Sequence, residues 1–365
     1  MSTAFYTDER CFWHHGGNYA LTLPVGGLVQ PGGGLPENPE TKRRFKNLME
    51  VTGLLAKLDT RSAPPATRED LARVHDGAYL DAFKAASDAG GGELGLRTPF
   101  GRDGYEVAAL SAGLATAALA SVLRGEHRNA YALSRPPGHH ALPAFPNGFC
   151  LLNNIAVAIR AAQAHGLARR VAVVDWDVHH GNGTEAIFWR DPEVLTVSIH
   201  QEFNYPTDTG TAMARGEGRG HGYNVNLPLS PGAGHATYVE AMERIVLPML
   251  RRFEPDAIVI ACGYDAGAMD PLGRMLATSD TFRAMTAMVK AAAAELCQGR
   301  LVMVHEGGYS EVHVPFLAHA VMEELSGEPI RAADPLAATL IARQPGPAAQ
   351  AFHSARLAEL AGLFL

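Results

Sequence analysis

The sequence predicts an α/β fold in three layers, with a mostly parallel central sheet covered by helices on both faces. From Tyr105 onward, short apolar runs rich in β-branched residues alternate with helical patterns, as they do in parallel sheets. Polar clusters follow several of these runs directly, at the edge where open α/β sheets bind ligands. The chain is 47% hydrophobic and 19% charged, which is typical of a folded protein with a large core.

The apolar runs and helical patterns locate the predicted elements in order along the chain. The predicted strands cover residues 130–134, 171–175, 194–199, 256–261 and 301–305. The predicted helices cover residues 41–58, 105–123, 152–165, 235–252, 280–296 and 351–363.

A single domain is predicted for the whole chain of 365 residues, because there is no repeat, low-complexity tract or convincing linker. Its core would span about residues 41–327. The N-terminal region 1–40, with a loop rich in Gly and Pro at residues 24–39, and the tail 328–365 would be peripheral. Loop and tail could carry contacts of a homo-oligomer.

Charge and composition exclude several classes of protein. The net charge of −7, without a concentrated basic patch, argues against a nucleic-acid partner. The one dense basic run, 42–44, opens a helix and is interpreted as a solvated face. No stretch approaches about 18 uninterrupted apolar residues, and the N-terminus lacks an apolar signal core, so we expect no membrane span and a cytoplasmic location.

The four cysteines are scattered without a C-x-x-C pair. This spacing favours neither a disulfide framework nor a cysteine zinc site, and we expect reduced, buried thiols.

The strongest local signal is the run Asp-Trp-Asp-Val-His-His-Gly-Asn-Gly at residues 175–183. Alternate side chains of a strand share a face, so Asp175, Asp177 and His179 would point the same way and could bind a divalent metal. A polar strand end that caps the next helix is the plainer interpretation, but it explains one aspartate better than this whole pattern. A third ligand should come from another strand end, and Asp265 follows the apolar run 258–261.

Two further clusters follow predicted strands. His139 and His140 come after a Pro-Pro-Gly turn, and paired histidines suit proton transfer, although a lone loop histidine is usually structural. In the run 306–309, Gly307 and Gly308 permit close approach to a ligand and leave the hydroxyl of Tyr309 free to donate to a developing oxyanion. Taken alone, Tyr309 could equally be a packing residue.

These clusters, in this order, resemble the histone deacetylase superfamily, in the form found in its class II branch and in bacterial histone deacetylase-like amidohydrolases. The resemblance runs from about residue 41 to residue 327 and includes four separated motifs, at residues 136–140, 175–184, 263–271 and 306–309. It implies an arginase/deacetylase-like fold.

Carried over by motif position, the resemblance implies zinc held by Asp177, His179 and Asp265. His139 and His140 would handle protons, and Tyr309 would polarise the acyl carbonyl. Asp175 would orient His139, and Asn182 would be the partner of His140 where class I relatives carry a carboxylate. Since an amide stabilises an imidazolium less than a carboxylate does, His140 would be the better general base.

Potassium is also implied by the resemblance, at two sites built largely from backbone oxygens. One would use Asp175, Asp177, His179, Ser198 and Ile199. The other would use Phe188, Asp191, Val194 and Tyr223.

The resemblance further implies a substrate tunnel walled by Gly148 and Phe149 on one side and by Tyr205 on the other, with Gly307 near its floor. Tyr205 departs from the usual phenylalanine. Leu272 stands where relatives that prefer acetylated polyamines can carry an acidic residue, which favours an acyl-lysine substrate.

The expected function is zinc-dependent removal of acetyl or related acyl groups from N-acyl-lysine side chains, in a peptide, a protein or a small acylated amine, with sensitivity to hydroxamate-type inhibitors. An acetylpolyamine amidohydrolase with the same catalytic residues is the alternative. A non-catalytic acyl-lysine binding protein fits less well, because the ligands, the histidines and Tyr309 are all present. An arginase-type ureohydrolase would require an Asp-x-His-x-Asp spacing that the chain lacks.

Overall fold

Eight parallel strands form the central sheet of the computed structural model, which describes residues 2–30 and 32–365. The strands are β1 (Thr3–Tyr6), β2 (Tyr19–Ala20), β3 (Leu23–Pro24), β4 (Asp59–Arg61), β5 (Gly91–Glu93), β6 (Pro99–Gly101), β7 (Asn129–Ala132), β8 (Val171–Asp175), β9 (Val194–Gln201), β10 (Asn224–Leu229), β11 (Ala257–Cys262) and β12 (Leu301–His305). The order in the central sheet is β10-β9-β8-β11-β12-β7-β1-β4, and two antiparallel hairpins, β2-β3 and β5-β6, lie outside it.

Helices cover both faces of this sheet. They are α1 (Glu40–Thr52), α2 (Arg68–Ala72), α3 (Gly77–Asp88), α4 (Gly104–Leu123), α5 (Asn154–Ala164), α6 (Asn182–Phe188), α7 (His235–Ala241), α8 (Leu247–Phe253), α9 (Ser279–Cys297), α10 (Val314–Ser326), α11 (Ala337–Ala342) and α12 (Pro347–Phe364). A π-helical turn, Met242–Val246, joins α7 to α8, and short 3-10 helices occur at Glu9–Trp13, Leu55–Lys57 and Gly218–Gly220.

Strand β8 shows why the fold has three layers. Ala172 and Val174 pack into one buried apolar cluster, whereas Val171 and Val173 pack into a second cluster on the opposite face. Because successive side chains of a strand point to opposite faces, a strand that is apolar at every position must be covered on both. The predicted fold class is confirmed.

The four central strands β8, β11, β12 and β7 are neighbours, and their carboxyl ends lie at one edge of the sheet. The chain order reverses between β8 and β11, since β8 is followed by β9 on its other side. Ligand sites of open α/β sheets lie at such a switch point. Every polar cluster singled out from the sequence follows one of these four strands.

The N-terminal segment differs from the expectation of a peripheral region. Thr3–Tyr6 forms β1, which is fully buried and pairs with both β7 and β4. This four-residue strand is too short for a clear periodic signal. The edge strands β4 and β10 were also not predicted. Asp59–Arg61 is polar and β10 contains Pro228, and edge strands tolerate both polar residues and proline.

The basic run 42–44 is not a solvated face throughout, contrary to the prediction. Lys42 is fully buried, and its Nζ lies 2.9 Å from Oε1 of the buried Glu37. The same oxygen lies 3.1 Å from Nε of Arg135, which is also buried. The predicted helix 41–58 ends early because Gly53, at a φ of 83°, forms a left-handed C-cap to α1.

Helix α4 is the one described helix that is long and apolar enough to cross a membrane, judged by length and composition. Its most apolar window is 67% buried, and it packs against α5 and β7, as a core helix does. All four cysteines are buried and free, as predicted.

Candidate active site at the carboxyl edge of the sheet

Three residues predicted as metal ligands meet at the ends of β8 and β11. The Nδ1 of His179 lies 3.1 Å from Oδ1 of Asp177 and 3.0 Å from Oδ2 of Asp265. All three side chains are buried, and their ligand atoms lie within 4.8 Å of one another. Backbone N–H groups hold the other carboxylate oxygens, with Gly307 donating to Asp177 Oδ2 at 2.8 Å and Val178 donating to Asp265 Oδ1 at 2.7 Å.

The chemistry of this cluster fits a divalent cation. Burial, and then the charge of the neighbouring Asp177, raises the pKa of Asp265 to about 8. Two buried carboxylates this close repel each other unless a positive charge joins them. One imidazole and two carboxylates form a ligand set that suits zinc and leaves a coordination position for a substrate.

A second group of possible ligands, His139, Cys150 and Glu306, has a different explanation. Burial raises the pKa of the Cys150 thiol well above its usual value, so the thiolate that a metal requires is disfavoured. Glu306 Oε2 accepts N–H hydrogen bonds from Gly138, at 2.6 Å, and from His139, at 3.1 Å. Glu306 therefore serves to hold the loop that carries the histidine pair.

The predicted histidine pair lies beside the metal-ligand cluster. The rings of His139 and His140 are 4.0 Å apart, and that of His140 is 5.9 Å from that of His179. His139 Nδ1 lies 2.9 Å from Asp175 Oδ2, and His140 Nδ1 lies 2.8 Å from Asn182 Oδ1. The structure thus brings both predicted partners to their histidines.

The pKa values of the two histidines are shifted in opposite directions. Burial alone would lower the pKa of His139, but the carboxylates of Asp177 and Asp175 outweigh it and raise the pKa to about 10. Burial, followed by the charges of His139 and His179, holds the pKa of His140 well below its ordinary value. These opposite shifts favour a proton on His139 and a neutral ring at His140, which is the arrangement needed for acid and base roles.

Tyr309 faces the carboxylate pair across Gly307. A Cβ added at Gly307 would lie 2.3 Å from Asp265 Oδ2, 2.6 Å from Asp177 Oδ2 and 2.8 Å from the Tyr309 hydroxyl. Only glycine therefore leaves room for these three groups to converge. Burial raises the pKa of Tyr309 well above its ordinary value, so the hydroxyl keeps its proton and can donate it in a hydrogen bond.

A tunnel of about 170 Å³ leads from this cluster to the surface. Its lining residues are Thr22, Arg97, His140, Gly148, Phe149, His179, Asn204, Tyr205, Leu272 and Tyr309. Gly148 has a φ of 51°, and a Cβ there would lie 2.5 Å from the ring of His140 and 2.8 Å from that of Tyr205. Glycine is thus required at this point of the tunnel wall, between His140 and Tyr205.

The aromatic walls are held by contacts within the protein. The ring of Phe149 packs edge-on against Tyr309 at 5.7 Å, and Tyr205 packs edge-on against His140 at 5.2 Å. The Tyr205 hydroxyl donates to the side-chain oxygen of Asn147. The hydroxyl that distinguishes Tyr205 from the usual phenylalanine therefore makes its hydrogen bond within the protein.

Leu272 packs at the tunnel against an apolar cluster of Tyr19, Leu35, Phe149 and Tyr309. Its neighbour Asp270, which the sequence analysis did not assign to the site, accepts N–H hydrogen bonds from Tyr309 at 2.7 Å and from Leu272 at 2.9 Å. Asp270 thus ties the predicted oxyanion donor to the tunnel wall. Its position within the third motif was the available signal.

The residues predicted for potassium fall into two places. In the first, Ser198 is the cross-strand partner of Asp175, next to Ile199. In the second, Phe188 ends α6, Val194 begins β9, and the carbonyl of Tyr223 accepts from Thr196 N at 2.9 Å. The Asp191 carboxylate is paired with Arg160 at 2.6 Å, which leaves backbone oxygens as the available ligands there.

Comparison with known proteins gives consistent matches over the whole chain. A model of the histone deacetylase domain matches residues 35–325. The chain is 58% identical over 364 residues to the histone deacetylase-like amidohydrolase of Pseudomonas aeruginosa, a match covering 99% of this chain and 96% of that protein. It is 38% identical over 299 residues to a probable deacetylase of Archaeoglobus fulgidus, covering 80% of this chain and 82% of that one.

Among solved structures, the crystal structure of the HDA15 HD domain superposes with a TM-score of 0.86 at 33% identity. The superposition covers 100% of this chain and 96% of the other. Sequence and structure comparisons therefore agree with the resemblance drawn from the four motifs.

Proposed function

Because the chain belongs to the histone deacetylase family, we propose that it is a zinc-dependent amidohydrolase that removes acetyl or related acyl groups from N-acyl-lysine side chains. The observation that carries this proposal is the convergence of the Asp177, His179 and Asp265 cluster with a histidine pair and Tyr309 at the floor of an aromatic tunnel. Membership of this family identifies the chain as a deacetylase. The metal and the substrate are the proposed parts.

Asp177, His179 and Asp265 would hold the zinc ion. When bound, it would supply Lewis-acid polarisation of the acyl carbonyl and would lower the pKa of water. The protein orients the ligands of this ion and keeps competing water away from them. The N–H groups of Gly307 and Val178 orient the two carboxylates, and burial excludes solvent that would compete for them.

His140 acts as the general base. Its Nδ1–H donates to Asn182 Oδ1, which leaves Nε2 unprotonated and able to accept a proton from the attacking water. The low pKa that burial imposes on His140 keeps this nitrogen free at neutral pH. An amide partner suits this role, because it fixes the ring without stabilising the imidazolium as a carboxylate would.

His139 keeps a proton close to the reacting centre. Its Nδ1 is paired with Asp175, while its Nε2 lies 3.8 Å from Asp177 Oδ1. A protonated imidazole of the pair then delivers a proton to the departing amine. Tyr309 donates its hydroxyl hydrogen to the oxyanion that develops as water adds to the carbonyl.

The tunnel supports an acyl-lysine substrate. Phe149 and Tyr205 offer aromatic surface to the lysine methylenes, and the apolar Leu272 gives no carboxylate to a second ammonium group. An acetylpolyamine amidohydrolase would share the same catalytic residues, and it remains the second candidate. A non-catalytic acyl-lysine binding protein is disfavoured by the intact Tyr309 and histidine pair.

We also infer that potassium occupies the two groups of backbone oxygens around Ser198 and Tyr223, and that hydroxamates bind at the tunnel floor. A cytoplasmic location and a homo-oligomeric state are predictions from the sequence.

The test compares kcat/KM of the zinc-loaded protein on an acetyl-lysine peptide, a trifluoroacetyl-lysine peptide and N-acetylputrescine, with a hydroxamate as the control. Preference for the lysine peptides is the expected result. Preference for N-acetylputrescine would indicate an acetylpolyamine amidohydrolase that uses the same catalytic residues. Absence of any hydroxamate-sensitive turnover would refute the proposed function.

A further inference from the structure

Among the described residues, Arg97 is the one lysine or arginine that lines the tunnel. It lies in the loop between β5 and β6, and its guanidinium carbon stands 5.3 Å from the centre of the Tyr205 ring. Arg97 is half-buried, whereas His140 and His179 in the same lining are buried, so Arg97 stands at the solvent end of the tunnel. This is the tunnel mouth.

The backbone at Arg97 is attached to the opposite wall of the tunnel. The carbonyl of Arg97 accepts from Phe149 N at 3.0 Å, and that of Leu96 accepts from Gly148 N at 3.0 Å. Arg97 also has a φ of 58°, a left-handed conformation that glycine adopts at lower cost. The backbone of Arg97 is therefore fixed to the tunnel wall, and its side chain contacts Tyr205 on that wall.

Glu93 and Arg97 both act electrostatically on Tyr19, but Arg97 forms no direct ion pair among the described residues. In the described chain, residues 2–30 and 32–365, no carboxylate oxygen lies within 4.0 Å of its guanidinium nitrogens. Glu93, the carboxylate of the same hairpin, is already engaged by the Tyr19 hydroxyl at 2.7 and 2.8 Å and by Thr98 N at 2.8 Å. The cation–π contact with Tyr205 does not consume the N–H groups of the guanidinium, which can donate to a ligand.

We propose that Arg97 determines specificity by pairing with a substrate carboxylate at the tunnel mouth. An acyl-lysine side chain that fills the tunnel leaves its Cα, with the α-carboxylate or a neighbouring residue, at the level of Arg97. A guanidinium there binds a carboxylate in a planar, two-pronged geometry and repels a second ammonium group. The preferred substrates are thus acyl-lysines with a free carboxylate or an acidic neighbour. This inference rests on the proposed function.

The experiment measures kcat/KM of the zinc-loaded protein on acetyl-lysine peptides that differ only in charge beside the acyl-lysine. One pair has glutamate or glutamine as the neighbour, and another has C-terminal acetyl-lysine as the free acid or as the amide. We expect the acidic member to be favoured by roughly 3- to 10-fold, as for a partly exposed charge pair, and less at high salt. The pair that shows the preference identifies the source of the carboxylate.

The variant Arg97→Gln should bring the ratio of acidic to neutral substrate to about 1. Arg102→Gln is the matched control, because Arg102 is an exposed arginine just beyond the same hairpin and bonds the carbonyl of Asp88. It should keep the ratio of the unmodified protein. A ratio that survives in Arg97→Gln, or that is absent from the unmodified protein, would overturn the inference while leaving the proposed function intact. No turnover of any of the four peptides would overturn both.

Discussion

The backbone N–H of Val178 donates a hydrogen bond to Oδ1 of Asp265 across 2.7 Å. This contact joins the ends of the neighbouring strands β8 and β11 and leaves Oδ2 of Asp265 facing the Nδ1 of His179, 3.0 Å away. One oxygen of the carboxylate thus links the segments that follow the two strands, and the other completes the proposed metal site.

The variant Asp265→Ala should lose zinc, because only two protein ligands would remain where a catalytic site needs about three. Metal content after gel filtration is the measurement. We expect occupancy near zero in the variant and near one in the unmodified protein.

The variant Asp265→Asn tests separately the two roles of this carboxylate, as hydrogen-bond acceptor for Val178 and as charged metal ligand. Its side-chain oxygen can still accept from Val178, so the fold should be retained, but zinc affinity should fall by at least about tenfold with the lost charge. Full zinc occupancy in Asp265→Ala would show that Asp265 is not a ligand.

Tyr309→Phe should lower kcat by roughly 10²- to 10³-fold with zinc retained, as expected for the loss of one oxyanion donor. The ring, and its packing against Phe149, would be unchanged. Steady-state kinetics together with metal analysis test this, and turnover close to that of the unmodified protein would exclude the hydroxyl from the reaction.

Gly307→Ala should abolish activity, because its Cβ would lie 2.3 Å from Asp265 Oδ2 and 2.6 Å from Asp177 Oδ2. The two carboxylates would be forced apart, and zinc binding should weaken with them. Gly362→Ala is the control, since no atom lies within 4 Å of a Cβ in that exposed helical position. It should keep full activity and gain about 0.5–1 kcal/mol of helix stability. An active, zinc-loaded Gly307→Ala protein would contradict this account of the site.

Glu37→Gln should destabilise the fold by about 3–5 kcal/mol, because it leaves Lys42 and Arg135 buried without a counter-charge. The free energy of unfolding in urea measures this. Glu69→Gln is the comparison, since Glu69 pairs with Arg73 at the surface and should cost less than about 1 kcal/mol. Equal effects of the two substitutions would mean that the buried network contributes nothing beyond a surface pair.

His75 should make stability depend on pH between about 4 and 6.5. Burial lowers the pKa of His75 to about 4 from 6.5, and its Nε2 accepts from Asn153 N at 2.9 Å. Between pH 6.5 and 4, His75 is protonated in the unfolded chain but stays neutral in the folded protein. The stabilising contribution of buried His75 is therefore complete above pH 6.5 and is lost as the pH falls toward 4.

The loss associated with His75 should reach about 3 kcal/mol at pH 4. Urea unfolding at several pH values should therefore show a shallower pH dependence for His75→Gln than for the unmodified protein over this range. Parallel curves for the two proteins would rule out His75 as the titrating group.

The sequence by itself determined the layered fold and the composition of the site. Strand β8 is apolar at four successive positions and ends in Asp175, so both its burial and the polar edge that follows could be predicted from period and position. The same holds for Asp265 and Tyr309, which follow β11 and β12. Short-range signals sufficed because the carboxyl ends of parallel strands share one edge.

Only the tertiary structure decided the features that depend on residues distant in the chain. Lys42 was predicted as solvated, yet it is buried because Glu37 and Arg135 converge on it from other elements. Thr3–Tyr6 becomes an interior strand of the sheet through pairing with β7 and β4. Arg97 had no local signal, because its place at the tunnel mouth results from a backbone hydrogen bond with Phe149 and a cation–π contact with Tyr205. Burial and charge pairing are set by the packed neighbours, and local sequence does not specify them.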